Sequence, residues 1–354
     1  MADAREIIRI GMIGAGFISE YHLAGLRAAG GAEVRVLMGR TPDRVAALAR
    51  RFDIPDMVTD YRAVLDRQDI DAVVIATPDD THEEISVAAA AAGKSILLQK
   101  PMARSSAECR RIIAAARQAG VHLQVSFMHR YFEEVVRTRE LLADARLGPV
   151  FAVRMRNATP GADWNDWFFF KDRVGGGVVL QLGVHGIDLI RHVIGEIESV
   201  TARVATLRRE RRLADGRTIT PDNEDHAHAI YRLDGGALAS HEISWSEVHG
   251  CDRFRLEIYC AEATLWLRTE RGSLAVYAPA LMGSRGWFLP ELPSRPLGQS
   301  HHDHWLDILR GKIAPDRTAE DGLATLLVSE AIYRSAATGR EQAVESTGTL
   351  QEAH

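Results

Sequence analysis

The chain has 354 residues, of which 46% are hydrophobic and 26% charged, so it is long enough for two globular domains and unlike a disordered segment. Its 43 basic and 48 acidic residues give a formal net charge of −5. Without a basic excess, nucleic acid and anionic membranes are poor candidates for a partner, and a dissolved small molecule is the expected one.

Three widely spaced cysteines, Cys109, Cys251 and Cys260, form no CxxC pair, which argues against a disulfide framework and against a zinc site. The first six residues are polar, and no apolar run approaches the roughly 20 residues that span a bilayer. These features favour a reducing, cytoplasmic setting.

The first third of the chain alternates short apolar runs with helical patterns, which is typical of βαβ units. Several of the runs are almost wholly apolar, as expected of strands that helices cover on both faces. The predicted strands are Ile8–Ile13, Val34–Met38, Ala72–Ala76, Ser95–Leu98 and Val121–Ser126, and the helices include Arg44–Phe52, Glu83–Ala92 and Ala107–Ala119. We therefore predict an α/β domain with a doubly wound parallel sheet, a Rossmann domain, over residues 1–126.

After a predicted helix near Tyr131–Ala145, strand patterns dominate, and the Gly235-Gly236 pair predicts a tight hairpin. One helical segment, Val178–Ile194, interrupts the strands. We predict an α+β domain over residues 127–354 with a large, mostly antiparallel open sheet. The predicted strands include His226–Leu233, Ala237–Ser244, Phe254–Tyr259 and Thr264–Arg268, and the closing helices are His302–Arg310 and Ala319–Thr338.

A glycine-rich loop, GAGFIS, joins the first predicted strand to a helix. At this position the GxGxx pattern is typical of dinucleotide sites: Gly14 permits the tight turn, and Gly16 lets a pyrophosphate approach the helix N-terminus. Ser19 replaces the usual third glycine, a mild change at a packing position. The alternative is a turn that merely requires glycine.

The end of the second strand bears on which dinucleotide binds. An NAD site usually has Asp or Glu there to hold the ribose 2′-hydroxyl, but this chain has Gly39-Arg40-Thr41-Pro42. Arg40, with Arg44 in the first helical turn, suits a 2′-phosphate, because guanidinium groups bind phosphate well. NADP is therefore favoured over NAD, the alternative being that both arginines only face solvent. Thr41 and Pro42 are expected as N-cap and first helical residue.

Together with the glycine loop, three further stretches make the chain resemble the Gfo/Idh/MocA oxidoreductases. They are residues 76–82 (ATPDDTH), 98–101 (LQKP) and 175–188 (GGGVVLQLGVHGID), in the family's order, and the similarity continues to 319–323 (AEDGL). The resemblance implies that Lys100 and His185 handle a hydroxyl proton while nicotinamide handles the hydride, and that Pro78 lies beside the nicotinamide. It also implies that the open sheet mediates a homodimer or homotetramer.

The cofactor contacts expected from the loop, the arginines and the resemblance lie at the ends of four predicted strands. They are Gly14, Gly16, Phe17, Ile18, Gly39, Arg40, Thr41, Arg44, Thr77, Pro78, His82, Lys100 and Pro101.

Two glutamines depart from the family pattern. Gln99 stands where the family usually has Glu, and Gln181 where many members have Asp. Gln181 and His185 are four residues apart and so share a helix face. Glutamine orients a hydroxyl but takes no proton, and the loss of two negative charges is expected to make Lys100 easier to deprotonate. Gln181 is kept as a catalytic candidate.

Substrate contacts are expected from residues near these motifs, each of which has a structural role as its alternative. The candidates are Lys100, Arg130, Asn157, Trp164, Gln181, His185 and His304. In the run His301-His302-Asp303-His304 only His301 and His304 share a helix face, so we expect no metal there.

The sequence thus predicts an NAD(P)-dependent enzyme that moves a hydride to or from a sugar, sugar derivative or inositol. Two alternatives remain open: a tightly bound cofactor that is recycled while a glycoside is cleaved through a 3-keto sugar, and a non-enzymatic dinucleotide-binding regulator. The presence of both Lys100 and His185 argues against the regulator. The particular sugar, the carbon and the direction are left undetermined.

Overall fold

The computed structural model describes residues 7–249, 253–269 and 271–347, so Cys251 lies outside the described part. The chain divides into two compact units. The first unit consists of the chain up to Tyr131 together with the later segment Ser294–Leu323. The second unit consists of Phe132–Pro293 together with the chain from Ala324 onwards. The predicted boundary after residue 126 is close to the break at Tyr131, while the inclusion of Ser294–Leu323 in the first unit has no counterpart in the prediction.

The first unit contains a six-stranded parallel sheet. Its strands are β1 (Ile8–Ile13), β2 (Ala32–Met38), β3 (Asp56–Val58), β4 (Ala72–Ile75), β5 (Ser95–Gln99) and β6 (Leu123–Ser126). Their order is β3-β2-β1-β4-β5-β6, with every neighbouring pair parallel. This is the doubly wound order, in which loops at the carboxyl ends of the strands form the ligand-binding edge. The predicted fold class of the first domain is confirmed.

Helices connect these strands. They are α1 (Phe17–Ala29), α2 (Pro42–Arg51), α3 (Tyr61–Leu65), α4 (His82–Ala91) and α5 (Ser106–Ala119). The strand β3 and the helix α3 are missing from the sequence-based prediction. With three and five residues, they are too short to show a periodic pattern.

The second unit is built on an eight-stranded sheet in the order β15-β14-β13-β7-β12-β11-β8-β16, where the labels follow the chain. The strands of this sheet are β7 (Val150–Ala158), β8 (Ile197–Ala205), β11 (His226–Leu233), β12 (Leu238–Ser244), β13 (Phe254–Cys260), β14 (Thr264–Thr269), β15 (Gly272–Tyr277) and β16 (Gln342–Ala343). Two further short strands, β9 (Arg211–Arg212) and β10 (Thr218–Ile219), pair with each other in a separate antiparallel ribbon. The pair β7–β12 is parallel and the other neighbours are antiparallel. The predicted, mostly antiparallel sheet is therefore confirmed.

Along β11 and β13 buried side chains alternate with more exposed ones, so one face of this sheet packs on the core and the other stays open. The predicted hairpin between β11 and β12 is also confirmed, with φ of 80° at Gly235 and 88° at Gly236. The helical elements of this unit are α6 (Glu133–Leu142), α7 (Lys171–Val174), a turn of π-helix (Val179–Gly183), α8 (Val184–Val193) and α9 (Pro279–Met282).

Two long helices follow near the end of the chain, α10 (Gln299–Leu309) and α11 (Thr318–Thr338). Their observed ends lie within two residues of the predicted ends, except that α10 begins earlier than predicted. Trp305 and Leu306 of α10 are fully buried in the core of the first unit. Within the described ranges, no helix combines the length and the apolar character that a bilayer span requires.

Buried histidines join α10 to α1. A Cβ on Gly25 would overlap the His302 ring, so glycine at this position lets the two helices approach closely. His302 Nδ1 donates to the carbonyl oxygen of Gly298 at 2.7 Å, which leaves His302 Nε2 to accept from His22 Nδ1 at 3.0 Å. His301 is also fully buried, with Nδ1 3.1 Å from the hydroxyl of Tyr21. The cluster is therefore made of neutral rings.

We expect acid to destabilise the protein through this cluster. Burial lowers the pKa of His302 to about 4, against 6.5 for an ordinary histidine, and holds the pKa values of His22 and His301 well below 6.5. Below pH 6.5 the unfolded chain binds protons that the folded chain does not, so the free energy of unfolding falls as the pH decreases from 6.5 to about 4. His302 alone accounts for roughly 3 kcal/mol over this range.

Urea unfolding between pH 7 and pH 4.5 measures this dependence. The variant His302→Gln should lose part of it, whereas His249→Gln, at an exposed position, should keep it. Equal pH dependence in both variants would show that the cluster does not carry the effect.

Candidate active site

The glycine loop lies against the end of β4. Gly14 has φ of 115°, and a Cβ there would overlap the carbonyl oxygen of Ala76, so only glycine fits. Ser19 is fully buried, and its hydroxyl donates to the carbonyl oxygen of Gly14 at 2.9 Å. The serine that replaces the usual third glycine therefore helps to hold the loop.

Gly16 occupies the N-cap of α1. Unlike Gly14, it has room for a side chain. A Cβ at Gly16 would meet only the carbonyl oxygen of Ala76, at 4.0 Å, so the protein's own packing does not require glycine here. What glycine provides is bare backbone at a helix N-terminus, where the amides and the helix dipole favour an anion. Phe17 next to it is 66% exposed, and Ile18 is half-buried. This cradle fits the pyrophosphate of a dinucleotide.

The end of β2 lies beside the glycine loop. A Cβ on Gly39 would be 2.6 Å from Val45 Cγ2 and 2.9 Å from Ala15 Cβ, so this glycine permits the close approach. Thr41 is the N-cap of α2 and Pro42 its first residue, as predicted, although the Thr41 side chain makes no capping hydrogen bond.

Arg40 and Arg44 are both exposed at this edge, and neither guanidinium has a carboxylate partner among the described residues. Other arginines of the first unit, such as Arg51 and Arg67, are ion-paired. Arg44 also lies in the first turn of α2, where a positive charge opposes the helix dipole.

The turn after β4 is held by Thr81. The Thr81 hydroxyl is 2.7 Å from both the Thr77 hydroxyl and the carbonyl oxygen of Pro78, and Thr81 N donates to the same carbonyl at 3.0 Å. Thr77 and Pro78 are half-buried at the carboxyl edge of the sheet. His82, which follows, is fully buried, with both ring nitrogens facing backbone carbonyl oxygens.

The neighbouring strand β5 ends in Gln99 and is followed by Lys100, which is half-buried. Gln99 Oε1 accepts a hydrogen bond from the backbone N–H of Lys100 at 2.8 Å. A glutamate would accept the same bond, so glutamine retains the backbone contact and removes the charge. The Lys100–Pro101 peptide bond is cis.

Two of the predicted substrate contacts, Arg130 and His304, lie next to carboxylates of the first unit. Arg130 is 8% exposed, and its guanidinium pairs with Asp321 at 2.8 Å. His304 Nε2 is 3.0 Å from an Asp316 carboxylate oxygen. Burial alone would raise the pKa of the Asp316 carboxyl. Hydrogen bonds from His304 and from Thr318 outweigh burial and lower this pKa to about 2.

In the second unit, Gln181 lies on the π-helical turn and His185 on the first turn of α8. Their side chains are 5% and 2% exposed. Single π-helical turns occur frequently at functional sites. The sequence predicted one helix over this segment and gave no sign of the π-turn.

Glu224 anchors the start of this helical segment. One carboxylate oxygen accepts from Gly177 N at 3.0 Å, and the other accepts from Val179 N at 3.1 Å and from the Tyr333 hydroxyl at 2.8 Å. A Cβ on Gly177 would overlap the Glu224 carbonyl oxygen, and one on Gly176 the Tyr333 hydroxyl. The glycine run thus makes room for these partners. Sequence reasoning missed Glu224; the three consecutive glycines were the one signal of a crowded neighbourhood.

Asn157 at the end of β7 is fully buried beneath α8. A Cβ on Gly186 would overlap Asn157 Oδ1, which accepts from His241 Nε2 at 2.9 Å. His241 Nδ1 is in turn 2.9 Å from the Tyr231 hydroxyl. Burial lowers the pKa of His241 to about 3, so the ring is neutral and carries one proton, on Nε2.

Trp164 has the most exposed of the predicted substrate side chains, at 57%. Its ring makes an edge contact with Phe168, on which Trp167 stacks with ring centroids 3.8 Å apart. Within the described part of the chain, no group of three or more His, Cys, Asp or Glu side chains is placed to hold a metal ion.

The order of the parallel strands, the loop at Gly14–Gly16 and the bare N-terminus of α1 define a dinucleotide-binding protein. Comparison with known proteins agrees: residues 8–127 match the model of the GFO/IDH/MocA oxidoreductase family with its NAD-binding Rossmann fold, and residues 135–266 match the GFO/IDH/MocA C-terminal domain. The chain belongs to the GFO/IDH/MocA oxidoreductases, as the sequence motifs predicted.

Relatives match over nearly their whole length. The levoglucosan dehydrogenase of Pseudarthrobacter phenanthrenivorans is 28% identical over 382 residues, which cover 93% of this chain and 96% of that protein. Inositol 2-dehydrogenase 2 of Saccharopolyspora erythraea is 28% identical over 351 residues, covering 96% of each. A solved levoglucosan dehydrogenase in complex with NADH and L-sorbose matches with a TM-score of 0.86 and 25% identity, covering 97% of this chain and 100% of that one.

The crowding at Gly177 predicts that Gly177→Ala destabilises the second unit by about 1–3 kcal/mol, the usual cost of an overpacked site. Gly286→Ala is the matched control, because a Cβ there meets no atom within 4 Å, and its effect should stay within about 0.5 kcal/mol. Urea or thermal unfolding of both variants measures the difference. Equal stability of the two variants would contradict the role assigned to Glu224.

Proposed function

We propose that the protein is an NADP-dependent dehydrogenase or reductase that transfers a hydride between the nicotinamide and a hydroxyl-bearing carbon of a sugar, sugar derivative or inositol. The observation that carries the proposal is Gly16, a glycine at a helix N-terminus that the protein's own packing does not require. The substrate class is supported by the names of the relatives, levoglucosan dehydrogenase and inositol 2-dehydrogenase.

When bound, the nicotinamide ring would accept or donate the hydride, and the protein must then move one proton. In oxidation of an alcohol, the hydroxyl loses its proton while the carbon loses a hydride. We assign acceptance of that proton to Lys100, with His185 as its partner in acid–base catalysis, and assign orientation of a hydroxyl to Gln181, whose amide takes no proton. Thr77, Pro78 and Pro101 would shape the edge of the sheet at which the cofactor lies.

Among the other predicted substrate residues, exposure favours Trp164. An exposed indole offers an apolar face to a sugar ring, whereas Arg130 and Asn157 are buried and bonded to Asp321 and His241. We propose Trp164 as the sugar contact, and Arg130, Asn157 and His304 as supports of the site.

The cofactor preference rests on Arg40 and Arg44. Two exposed guanidinium groups are expected where a phosphate binds when, as here, neither has a carboxylate partner within the described part of the chain and one of them opposes a helix dipole. The family model is described as NAD-binding and a solved relative holds NADH, so the preference for the 2′-phosphate is a proposal about this chain's own residues.

We further propose a homodimer or homotetramer formed through the open face of the eight-stranded sheet. Phe151, Ile230 and Leu238, which are 58%, 56% and 55% exposed, come from the adjacent strands β7, β11 and β12. Large apolar side chains grouped on an open sheet are typical of an interface.

The arginine argument predicts that Arg40→Ser raises the KM for NADP about 10- to 100-fold, since a hydrogen-bonded charge contributes roughly 1.5–3 kcal/mol. The KM for NAD should change less than about threefold. Arg50→Ser, an exposed arginine at the other end of the same helix, is the control and should change neither. If Arg40→Ser changes the KM for NADP and the KM for NAD by the same factor, the proposed contact between Arg40 and the 2′-phosphate is wrong.

The proposed reaction is tested by absorbance at 340 nm, with NADP or NAD, against inositols, aldoses and glycosides. A rise with one of them establishes the dehydrogenase, and Lys100→Met should then lower turnover by about 1000-fold, within the range of general acid–base catalysis. Lys312→Met, at an exposed position, is the control. Nucleotide retained through purification, with no net change in absorbance, would favour cofactor recycling or a regulatory role instead.

A further inference from the structure

His82 begins α4 and is 0% exposed. Its Nδ1 is 3.0 Å from the carbonyl oxygen of Pro101, and its Nε2 is 3.0 Å from the carbonyl oxygen of Thr77. With the ring wholly enclosed and each nitrogen facing a carbonyl, His82 has no surface that a cofactor could touch.

The two carbonyls belong to different loops. Thr77 opens the turn after β4, and Pro101 follows Lys100 after β5. These strands are parallel neighbours, so the loops leave the same edge of the sheet side by side. Each loop has its own internal hydrogen bond, through Thr81 in the first and Gln99 in the second. His82 directly follows the first loop, so in the tautomer with the proton on Nδ1 its hydrogen bond to the Pro101 carbonyl oxygen joins the two loops.

The neutral His82 ring carries one N–H, so it donates to one of the two carbonyl oxygens. Burial lowers the pKa of His82 below its ordinary value, against carbonyl hydrogen bonds that raise it. The neutral ring has one N–H donor and one acceptor nitrogen; a glutamine amide also offers a donor and an acceptor, as an NH2 group with two N–H bonds and a carbonyl oxygen. A phenylalanine has the ring's volume and neither group. Replacement by these two residues therefore separates hydrogen bonding from filling of space.

We propose that His82 is a positioning residue that fixes the Lys100–Pro101 backbone relative to the Thr77–Pro78 turn and so sets where the Lys100 amine stands during proton transfer. This role rests on the proposed function of Lys100, and it replaces direct contact with the cofactor, which the sequence had predicted for His82. Displacement of a reacting group by about 1 Å costs on the order of 100-fold in rate, so a loosened link is visible in kcat.

The test compares His82→Phe, His82→Gln and the control Ser86→Ala, in the full-length protein. Ser86 lies one turn further along α4 and is buried, and its hydroxyl has no partner within the described residues. We expect His82→Phe to lose about 30- to 100-fold in kcat, with the dissociation constant for NADP changed less than about threefold. His82→Gln should recover most of that loss, and Ser86→Ala should match the wild type.

Thermal melting of each variant shows how much of the protein is folded at the assay temperature. Because kcat is calculated per folded enzyme, a lower kcat then reports on catalysis and not on unfolding. The proposal is overturned if His82→Phe keeps wild-type kcat, or if His82→Gln is as impaired as His82→Phe at equal melting temperature. If His82→Phe instead binds NADP more weakly at unchanged kcat, the positioning role is wrong and His82 acts in cofactor binding.

A second readout does not depend on the substrate. In hydrogen exchange, amides of residues 76–82 and 99–103 should lose protection in His82→Phe and keep it in His82→Gln. If the wild type oxidises no sugar while this exchange pattern holds, the proposed function fails and the link stands. If the wild type is active and the exchange of the two variants is alike, the link fails and the function stands.

Discussion

The carbonyl oxygen of Ala76 occupies the space that a Cβ of residue 14 would take, and this contact fixes the geometry of the binding edge. It requires glycine at position 14 and brings the loop after β1 against the end of β4. Ser19 then ties the loop to the first turn of α1 by a hydrogen bond to Gly14. Once these backbones touch, the N-terminus of α1 and the turn at Thr77–Pro78 lie at one edge of the sheet, where a long cofactor can span them.

Glycine serves a different purpose in the second unit, where it makes room for buried polar groups. Gly176 and Gly177 admit Tyr333 and Glu224, and Gly186 admits Asn157 and His241. Each of these contacts places a hydrogen-bonded group against the backbone of the segment that carries Gln181 and His185. Because a buried acceptor is costly to leave without its donor, the position of this helix is tightly specified. Orientation of the two side chains therefore depends on residues that need not touch a substrate.

Sequence reasoning identified the features whose cause is local. The glycine loop and the alternation of strands and helices can be predicted from neighbouring residues, and so can the hairpin at Gly235-Gly236. Pairings between distant residues have no local signature: Gly177 and Glu224 are 47 residues apart, and Arg130 and Asp321 are 191 apart. For the same reason the ion pair of Arg130 could not be expected from the sequence, since its carboxylate partner, Asp321, belongs to a segment that returns late in the chain.

The two glutamines show how a charge can be removed while a structure is kept. At position 99, the amide oxygen makes the hydrogen bond to Lys100 N that a carboxylate oxygen would make, so the loop does not require the charge. At position 181, in the π-helical turn, the buried side chain is an amide with both donor and acceptor groups, where a carboxylate would only accept. Neither amide ionises near neutral pH, so within the proposed catalytic set the acid–base role falls to Lys100 and His185. Under the proposed function, proton transfer by Lys100 depends on where its amine is placed, and hence on the backbone links that hold its loop.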